Sequence, residues 1–143
     1  MRGNSGKGQA RWYWGLIVLL LVGGCGKSDG RQLLEGTVTL DGDPLANGSI
    51  TFRPLAGTAG PTAGAEIAEG HFYVKSEKGT FSGTFRVAIT ATRLTGKKVM
   101  GLDLVMIDES EQFIPVRYNR QSELTAEVTE DGPNQFDFAL ISK

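Results

Sequence analysis

The sequence is poor in cysteine and in tryptophan beyond its first residues, and it has no large surplus of charge of either sign. Cys25 is the single cysteine of the 143 residues, and both tryptophans, Trp12 and Trp14, precede it. One thiol cannot form an internal disulfide or supply a multi-cysteine zinc site. The formal net charge of −1 lacks the basic surplus of nucleic-acid-binding proteins. We therefore expect a fold held by its apolar core, and no nucleic-acid partner.

Common signatures of catalysis and of cofactor binding are missing as well. The chain has no H-E-x-x-H zinc motif, no phosphate-binding loop and no dinucleotide fingerprint. His71 is its one histidine, and the neighbouring residues offer it no partner for catalysis or metal binding. Asp41 and Asp43 lack the ligand spacing of a calcium loop, so they are interpreted as turn residues. We expect no enzyme activity, no catalytic or metal site and no cofactor.

What the chain does have begins with an N-terminal apolar segment. Arg2, Lys7 and Arg11 precede an eleven-residue apolar run, Trp12 to Val22, that contains one glycine. As a helix this run spans about 16 Å, against the ~30 Å of a bilayer core. Basic residues, a short apolar run and small residues after it are typical of a signal peptide rather than a permanent membrane span.

The residues that end this run resemble a bacterial lipoprotein signal. Val22-Gly23-Gly24-Cys25 is similar to the lipobox of bacterial lipoproteins. The resemblance implies a signal peptide over residues 1–24, a diacylglycerol-modified and acylated Cys25, and membrane lipid as a binding partner. Two or three acyl chains, at ~0.8 kcal/mol per buried CH₂, anchor a protein stably. An incidental thiol behind an ordinary secretory signal, and an uncleaved apolar anchor, remain the alternatives.

The location follows from the same resemblance. Cys25 is followed by Gly26, where an aspartate would resemble the signal that retains lipoproteins in the inner membrane. We therefore expect the cell envelope, and the outer membrane of a double-membraned organism. Residues 25–32 are polar and glycine-containing, which is typical of a flexible tether. At ~3.5 Å per residue, its seven residues after the cysteine hold the domain within about 25 Å of the lipid.

Residues 33–143 form one domain of all-β character. Apolar residues recur with a period of two, and no stretch of ten or more residues has the pattern of an amphipathic helix. Dense turn signals occur at residues 41–44, 69–70 and 130–134. The pattern predicts a seven-stranded antiparallel β-sandwich, or a small barrel, with five inward phenylalanines. The predicted strands cover residues 33–40, 49–53, 63–68, 72–74, 84–91, 124–128 and 136–140, and the phenylalanines are Phe52, Phe72, Phe85, Phe136 and Phe138.

One stretch of this domain resembles a known superfamily. Residues 36–52, with their G-x-V strand, D-G-x-P-L turn and following strand that ends in Phe52, resemble carboxypeptidase-regulatory-like and transthyretin-like (prealbumin-like) domains. Short bacterial lipoproteins of unassigned function also carry such domains. The resemblance implies a sandwich of immunoglobulin-like architecture. The histidines and the C-terminal Tyr-Arg-Gly-Ser of the hydrolases in this superfamily are missing, and residues 33–40 hold no lysine for an isopeptide bond.

The long segment 94–121 is the strongest candidate for contact with a partner. Connections of this length tend to be functional or disordered. Its apolar run, residues 102–107, is expected to add a short strand or to pack on a sheet edge. The preferred interpretation of the segment is structural, with Ile114 and Tyr118 covering the open end of the sandwich and the charges solvated; a partner-binding loop is the alternative. The candidate contact residues are Lys97, Lys98, Glu109, Glu111, Arg117 and Tyr118.

These observations predict a lipid-anchored cell-envelope module with a structural or protein-binding role. The alternative is a carbohydrate-binding or substrate-capture lipoprotein, which needs exposed aromatic platforms. Tyr73 and Tyr118 are its candidates, and the partner would then be a glycan instead of an envelope protein. A divergent hydrolase is a third possibility that requires a carboxylate near His71.

Overall fold

The computed structural model describes residues 29–143, and within that range the regular structure is β-sheet with two short 3₁₀ helices. The prediction of an all-β domain is confirmed. The predicted signal peptide and Cys25 lie outside the described residues. The strands are β1 Leu34–Leu40, β2 Asp43–Pro44, β3 Asn47–Pro54, β4 Ala63–Ala68, β5 His71–Val74, β6 Gly83–Thr90, β7 Thr92–Met100, β8 Met106–Gln112, β9 Thr125–Val128 and β10 Gln135–Leu140, and the helices are Ser76–Lys78 and Val116–Tyr118.

Eight of these strands form one curled sheet, and β7 and β8 form a separate two-stranded sheet. The order in the main sheet is β10-β1-β5-β4-β3-β6-β9, with β2 paired to β1. The prediction of seven antiparallel strands is wrong in two respects. Strands β2, β7 and β8 add to the predicted set, and β10 runs parallel to β1, from Glu35 opposite Gln135 to Leu40 opposite Leu140. Pairing over such a sequence distance has no local signal.

Two tight turns form at positions where the sequence predicts turns, and the predicted hairpin at residues 69–70 is confirmed. Asp41 and Gly42 join β1 to β2, and their φ angles are +54° and +92°. Glu69 and Gly70 join β4 to β5 with φ angles of +50° and +80°. Positive φ at both central residues defines the type I′ turn, whose twist matches that of paired strands. The glycine in each pair reaches this conformation without steric cost.

The core lies on the inner face of the curled sheet. Phe52, Phe72 and Phe85 are buried, as predicted, whereas Phe136 and Phe138 on the edge strand β10 are only partly buried. The ring centroids of Phe52 and Phe136 are 6.0 Å apart, although four strand pairings separate β3 from β10 in the sheet order. The curl of the sheet thus brings its distant strands together over a shared aromatic cluster.

The chain enters the domain at one end of β6 and leaves toward β7 at the other. The backbone N–H of Gln32 donates to Thr80 O at 2.7 Å, three residues before β6 begins at Gly83. At its far end, Thr90 pairs with Ser49, and β7 begins at Thr92. Eight residues of strand span about 23 Å at ~3.3 Å per residue. The described N-terminus and the start of β7 therefore lie at opposite ends of this strand.

Candidate functional site

The segment that the sequence offers for partner contact is a β-hairpin, here called the arm, which comprises residues 92–112. Thr92 lies opposite Gln112 at its base, and Met100 lies opposite Met106 at its far end. Within the part of the chain that the structure describes, neither strand of the arm pairs with the main sheet. The prediction of one long connection is thus replaced by two paired strands that project from the domain.

The base of the arm is fixed by the side chain of Gln112. Its Oε1 accepts hydrogen bonds from the backbone N–H of Ala91 at 3.0 Å and of Ile114 at 3.1 Å. Ala91 and Ile114 are both buried, so this one amide oxygen satisfies the N–H groups on either side of the arm. Beside it, the Arg93 guanidinium lies 5.5 Å from the centroid of the Phe113 ring. The arm is therefore connected to the domain core at its base.

The middle of the arm carries four of the predicted contact residues, and three of them have partners within the arm. Glu111 forms a salt bridge with Arg93 at 2.8 Å, and Lys98 forms one with Asp108 at 3.0 Å. Glu109 accepts a hydrogen bond from Thr95 Oγ1 at 2.6 Å. Lys97 is exposed beside a break in the strand register between Leu94 and Lys98. The Arg93–Glu111 and Lys98–Asp108 pairs thus join the two strands on either side of this break.

The end of the arm, residues 99–107, is here called the tip, and it is apolar and exposed. Val99 lies opposite Ile107 on one face, and Met100 lies opposite Met106 on the other. The turn between the strands adds Leu102, which is fully exposed, and Leu104 and Val105, which are 81% and 61% exposed. Of the two expectations for residues 102–107, an added strand is confirmed in part, because Met106 and Ile107 begin β8, and packing on an edge of the main sheet is not observed among the described residues. Large apolar side chains in such a cluster are the mark of a contact surface.

Arg117 and Tyr118 lie apart from the arm residues and bind the last residues of the chain, which follow β10. Arg117 Nη2 donates to Ile141 O and to Lys143 O, both at 2.5 Å, and its guanidinium lies 4.9 Å from the centroid of the Tyr118 ring. The Tyr118 hydroxyl accepts a hydrogen bond from the Ile141 N–H at 3.2 Å. The Arg117 guanidinium and this N–H lower the pKa of Tyr118. Tyr118 packs against the core, in line with the predicted covering role.

Tyr73, a candidate for glycan binding, and His71, the candidate for hydrolysis, lie on the outer face of β5. Tyr73 is half exposed, and His71 is exposed opposite Thr37. The next residue along this row is Asp137, whose carboxylate accepts a hydrogen bond from Thr37 Oγ1 at 2.6 Å. Asp137 lies two strands from His71, whereas Glu35 lines the same shallow depression as His71 and Tyr73. Among residues 29–143, no group of three or more histidine, acidic or cysteine side chains is placed to hold a metal ion.

A short match to a catalytic pattern was missed in the sequence. Residues 26–30, Gly-Lys-Ser-Asp-Gly, fit the G-x-S-x-G pattern of hydrolase nucleophile elbows. That pattern carries a nucleophile only where it joins a strand to a following helix. Here Gly30 is followed by β1, and residues 29–143 contain no α-helix. The match therefore lacks the structural context that gives it catalytic meaning.

No family model, characterised protein or solved structure matches this chain. In the described range, no helix has the length and apolar character needed to cross a bilayer. Within the described domain, the arm is the strongest candidate for a functional site. It combines a fixed base, a charge-paired middle and a solvent-exposed apolar tip.

Proposed function

We propose that this protein is a lipid-anchored module of the cell envelope that binds another envelope protein through the arm. The single observation that carries this proposal is the exposed apolar tip at residues 99–107. The module has no catalytic role in this proposal; its domain carries the arm, and the tether keeps the domain close to the membrane. The lipid on Cys25 serves as the anchor, and the outer membrane is the proposed location.

The free energy that is gained when the apolar side chains of the tip are covered favours binding to a protein partner. Exposed apolar surface costs ~25 cal/mol per Å² relative to burial, and isolated two-stranded hairpins are marginal in water. Seven large apolar side chains in nine residues thus gain free energy when a partner covers them. Such contiguous exposed patches on soluble domains mark interaction sites, whereas single exposed apolar residues do not. The salt bridges from Lys98 and Arg93 keep the strands paired while the tip is free.

The domain itself is proposed to be a carboxypeptidase-regulatory-like, transthyretin-like sandwich. Support comes from residues 36–52, where β1, a type I′ turn at Asp41-Gly42, and β3 follow one another in the order that the resemblance implies. The contact between Phe52 and Phe136 across the interior agrees with two facing layers. The arm is then an insertion between the sixth and ninth strands, in place of a short connection.

The anchor is tested by intact mass spectrometry of the protein extracted from membranes of its native host. We expect an N-terminus at Cys25 that carries acyl chains, and loss of membrane association in Cys25→Ala. Retention of residues 1–24 without acylation would refute the anchor. The same preparations also provide the material for the test of the arm.

The arm is tested in the native host with a variant that lacks residues 97–111. In this variant Thr92 and Gln112 remain opposite each other, closed by residues 93–96. After chemical cross-linking, we expect a specific envelope protein to co-purify with the full chain and with Tyr73→Ala, and to be lost from the shortened variant. Tyr73→Ala is a matched control, because it removes a half-exposed large side chain outside the arm. Identical partners with and without the arm would contradict the proposal.

A further inference from the structure

We infer that the partner presents an apolar cleft that encloses the tip on both faces, with a cationic arginine or lysine at its floor that pairs with Asp103. This inference rests on the proposed function and adds the chemistry of the partner's site. Three features carry it: the distribution of the tip's apolar side chains, the place of Asp103, and the place of the arm's base relative to the described N-terminus.

The apolar side chains require a cleft rather than a flat surface. Val99 and Ile107 lie on one face of the hairpin, and Met100 and Met106 lie on the other, because neighbouring residues of a strand alternate between faces. All four are at least 37% exposed. A flat partner surface covers one face only and leaves the other in water. Methionine adapts its shape to irregular apolar walls, which suits a cross-strand pair of methionines to such a cleft.

Asp103 places a carboxylate at the apex of this apolar tip. The turn is closed by Gly101 N–H, which donates to Val105 O at 2.8 Å, and by Leu104 N–H, which donates to Gly101 O at 3.1 Å. Asp103 is exposed between Leu102 and Leu104, and its carboxylate has no hydrogen bond or salt bridge within residues 29–143. A carboxylate carried into an apolar cleft is costly unless a charged donor meets it there. The apex therefore specifies a cation at the floor of the cleft.

The same features disfavour a lipid surface as the occupant. An aspartate at the centre of a bilayer costs ~2.5–3.5 kcal/mol on the mildest scale. The tip has no tryptophan or tyrosine for the membrane interface, and Lys97 and Lys98 are balanced by Asp108 and Glu109. The base of the arm also lies at the end of β6 remote from Gln32, where the tether joins the domain. The start of the arm is therefore ~23 Å, the length of β6, from the end of this strand nearest the tether.

A second copy of this chain is also an unsuitable partner, because its described surface lacks the cleft that the tip requires. Outside the arm, three large apolar side chains of residues 29–143 are exposed: Tyr73 on β5, Val116 on the second 3₁₀ helix and Ile141 directly after β10. The depressions on the outer face of the main sheet are lined mainly by polar side chains such as Asn47, Ser49 and Thr90. The described surface therefore offers no apolar cleft for a neighbour's tip.

The test uses the full lipidated chain in its native host, with a photo-crosslinking amino acid in place of Val105. We expect one dominant protein adduct, and none when the same amino acid replaces Tyr73. Asp103→Lys should lower the yield of this adduct about tenfold to a hundredfold, the equivalent of a charged hydrogen bond worth ~1.5–3 kcal/mol. Glu123→Lys is the matched control, since it makes the same charge change at an exposed site outside the arm.

Mapping of the cross-linked peptide then locates the cleft and its cation on the partner. Exchange of that arginine or lysine for glutamate should restore the adduct with Asp103→Lys, because the charge pair is reformed in reverse. A phospholipid adduct, an adduct with a second copy of this chain, or no protein adduct would overturn the inference. A protein adduct that is indifferent to Asp103→Lys would overturn it too, while leaving arm-mediated binding intact. If the variant that lacks residues 97–111 still captures the same partner, the proposed function itself is refuted.

Discussion

The carboxylate of Asp41 accepts a hydrogen bond from the backbone N–H of Ser142 at 2.9 Å, which ties the β1–β2 turn to the last residues of the chain. This bond, with smaller contributions from Lys143 and Arg117, lowers the pKa of Asp41 below its usual 3.8. A carboxylate with a lowered pKa stabilises the folded state above its unfolded pKa, and the stabilisation is lost as the pH falls through the folded value. The tie is thus complete at neutral pH and is released in acid.

We predict that the amide chemical shift of Ser142, followed by NMR from pH 6 down to about pH 2, titrates with a midpoint below 3.8, the unperturbed pKa of an aspartate. Asp41→Asn should abolish this titration and leave the turn intact, because asparagine tolerates the positive φ of this position. Asp43→Asn, in the same turn, is the control that should leave the Ser142 titration unchanged. A midpoint above 3.8 would show that the bond is absent in solution.

Phe85 and Phe138 should contribute different amounts to the free energy of unfolding. Phe85 is fully buried on the internal strand β6, so Phe85→Ala should lower the free energy of unfolding by about 3–5 kcal/mol. Phe138 lies on the edge strand β10 and is only partly buried, so Phe138→Ala should cost about 1–2 kcal/mol. Urea unfolding of both variants measures the difference. Equal costs would contradict the placement of β10 at the sheet edge.

Removal of the arm should leave the domain folded. Residues 97–111 contain no buried residue, and their side chains make no hydrogen bond to the main sheet among the described residues. The variant that lacks them should therefore unfold cooperatively, with a melting temperature within about 4 °C of the full chain. Calorimetry provides the measurement. Loss of cooperative unfolding would instead support the structural interpretation of this segment.

The hairpins were predictable because their signals are local. Asp41-Gly42 and Glu69-Gly70 each stand between alternating apolar and polar residues, and both form tight turns with positive φ angles. The periodicity of β6 likewise follows from one buried and one exposed face. The parallel pairing of β10 with β1 depends on contacts a hundred residues apart, such as Thr37 with Asp137, and no local pattern encodes it.

The arm escaped prediction because neither of its faces is buried, so no apolar and polar alternation exists along it. Its signal was the mirror order of opposite charges: Lys98 and Asp108 are each two residues from the ends of the turn, and Arg93 and Glu111 pair beyond a two-residue shift in register. Cross-strand pairs of opposite charge stabilise antiparallel strands in that order. Arg117 and Tyr118 were grouped with the arm by closeness in sequence, whereas the 3₁₀ helix turns them toward Ile141.

The attachment of the arm to the domain should depend on Gln112 as a hydrogen-bond acceptor. Gln112→Leu removes the oxygen that accepts from Ala91 N–H and Ile114 N–H, and leaves two amides of buried residues without a partner. We expect a loss of about 1–3 kcal/mol in the free energy of unfolding, and faster hydrogen exchange at these two amides.

Gln112→Glu is the matched control, because a carboxylate oxygen accepts the same two bonds, and it should retain most of the stability and protection of both amides. Equal loss in the two variants would assign the effect to packing at this position rather than to the accepted hydrogen bonds. If the arm needs this fixed base to present its tip, Gln112→Leu should also lower the yield of the Val105 cross-link, while Gln112→Glu restores it.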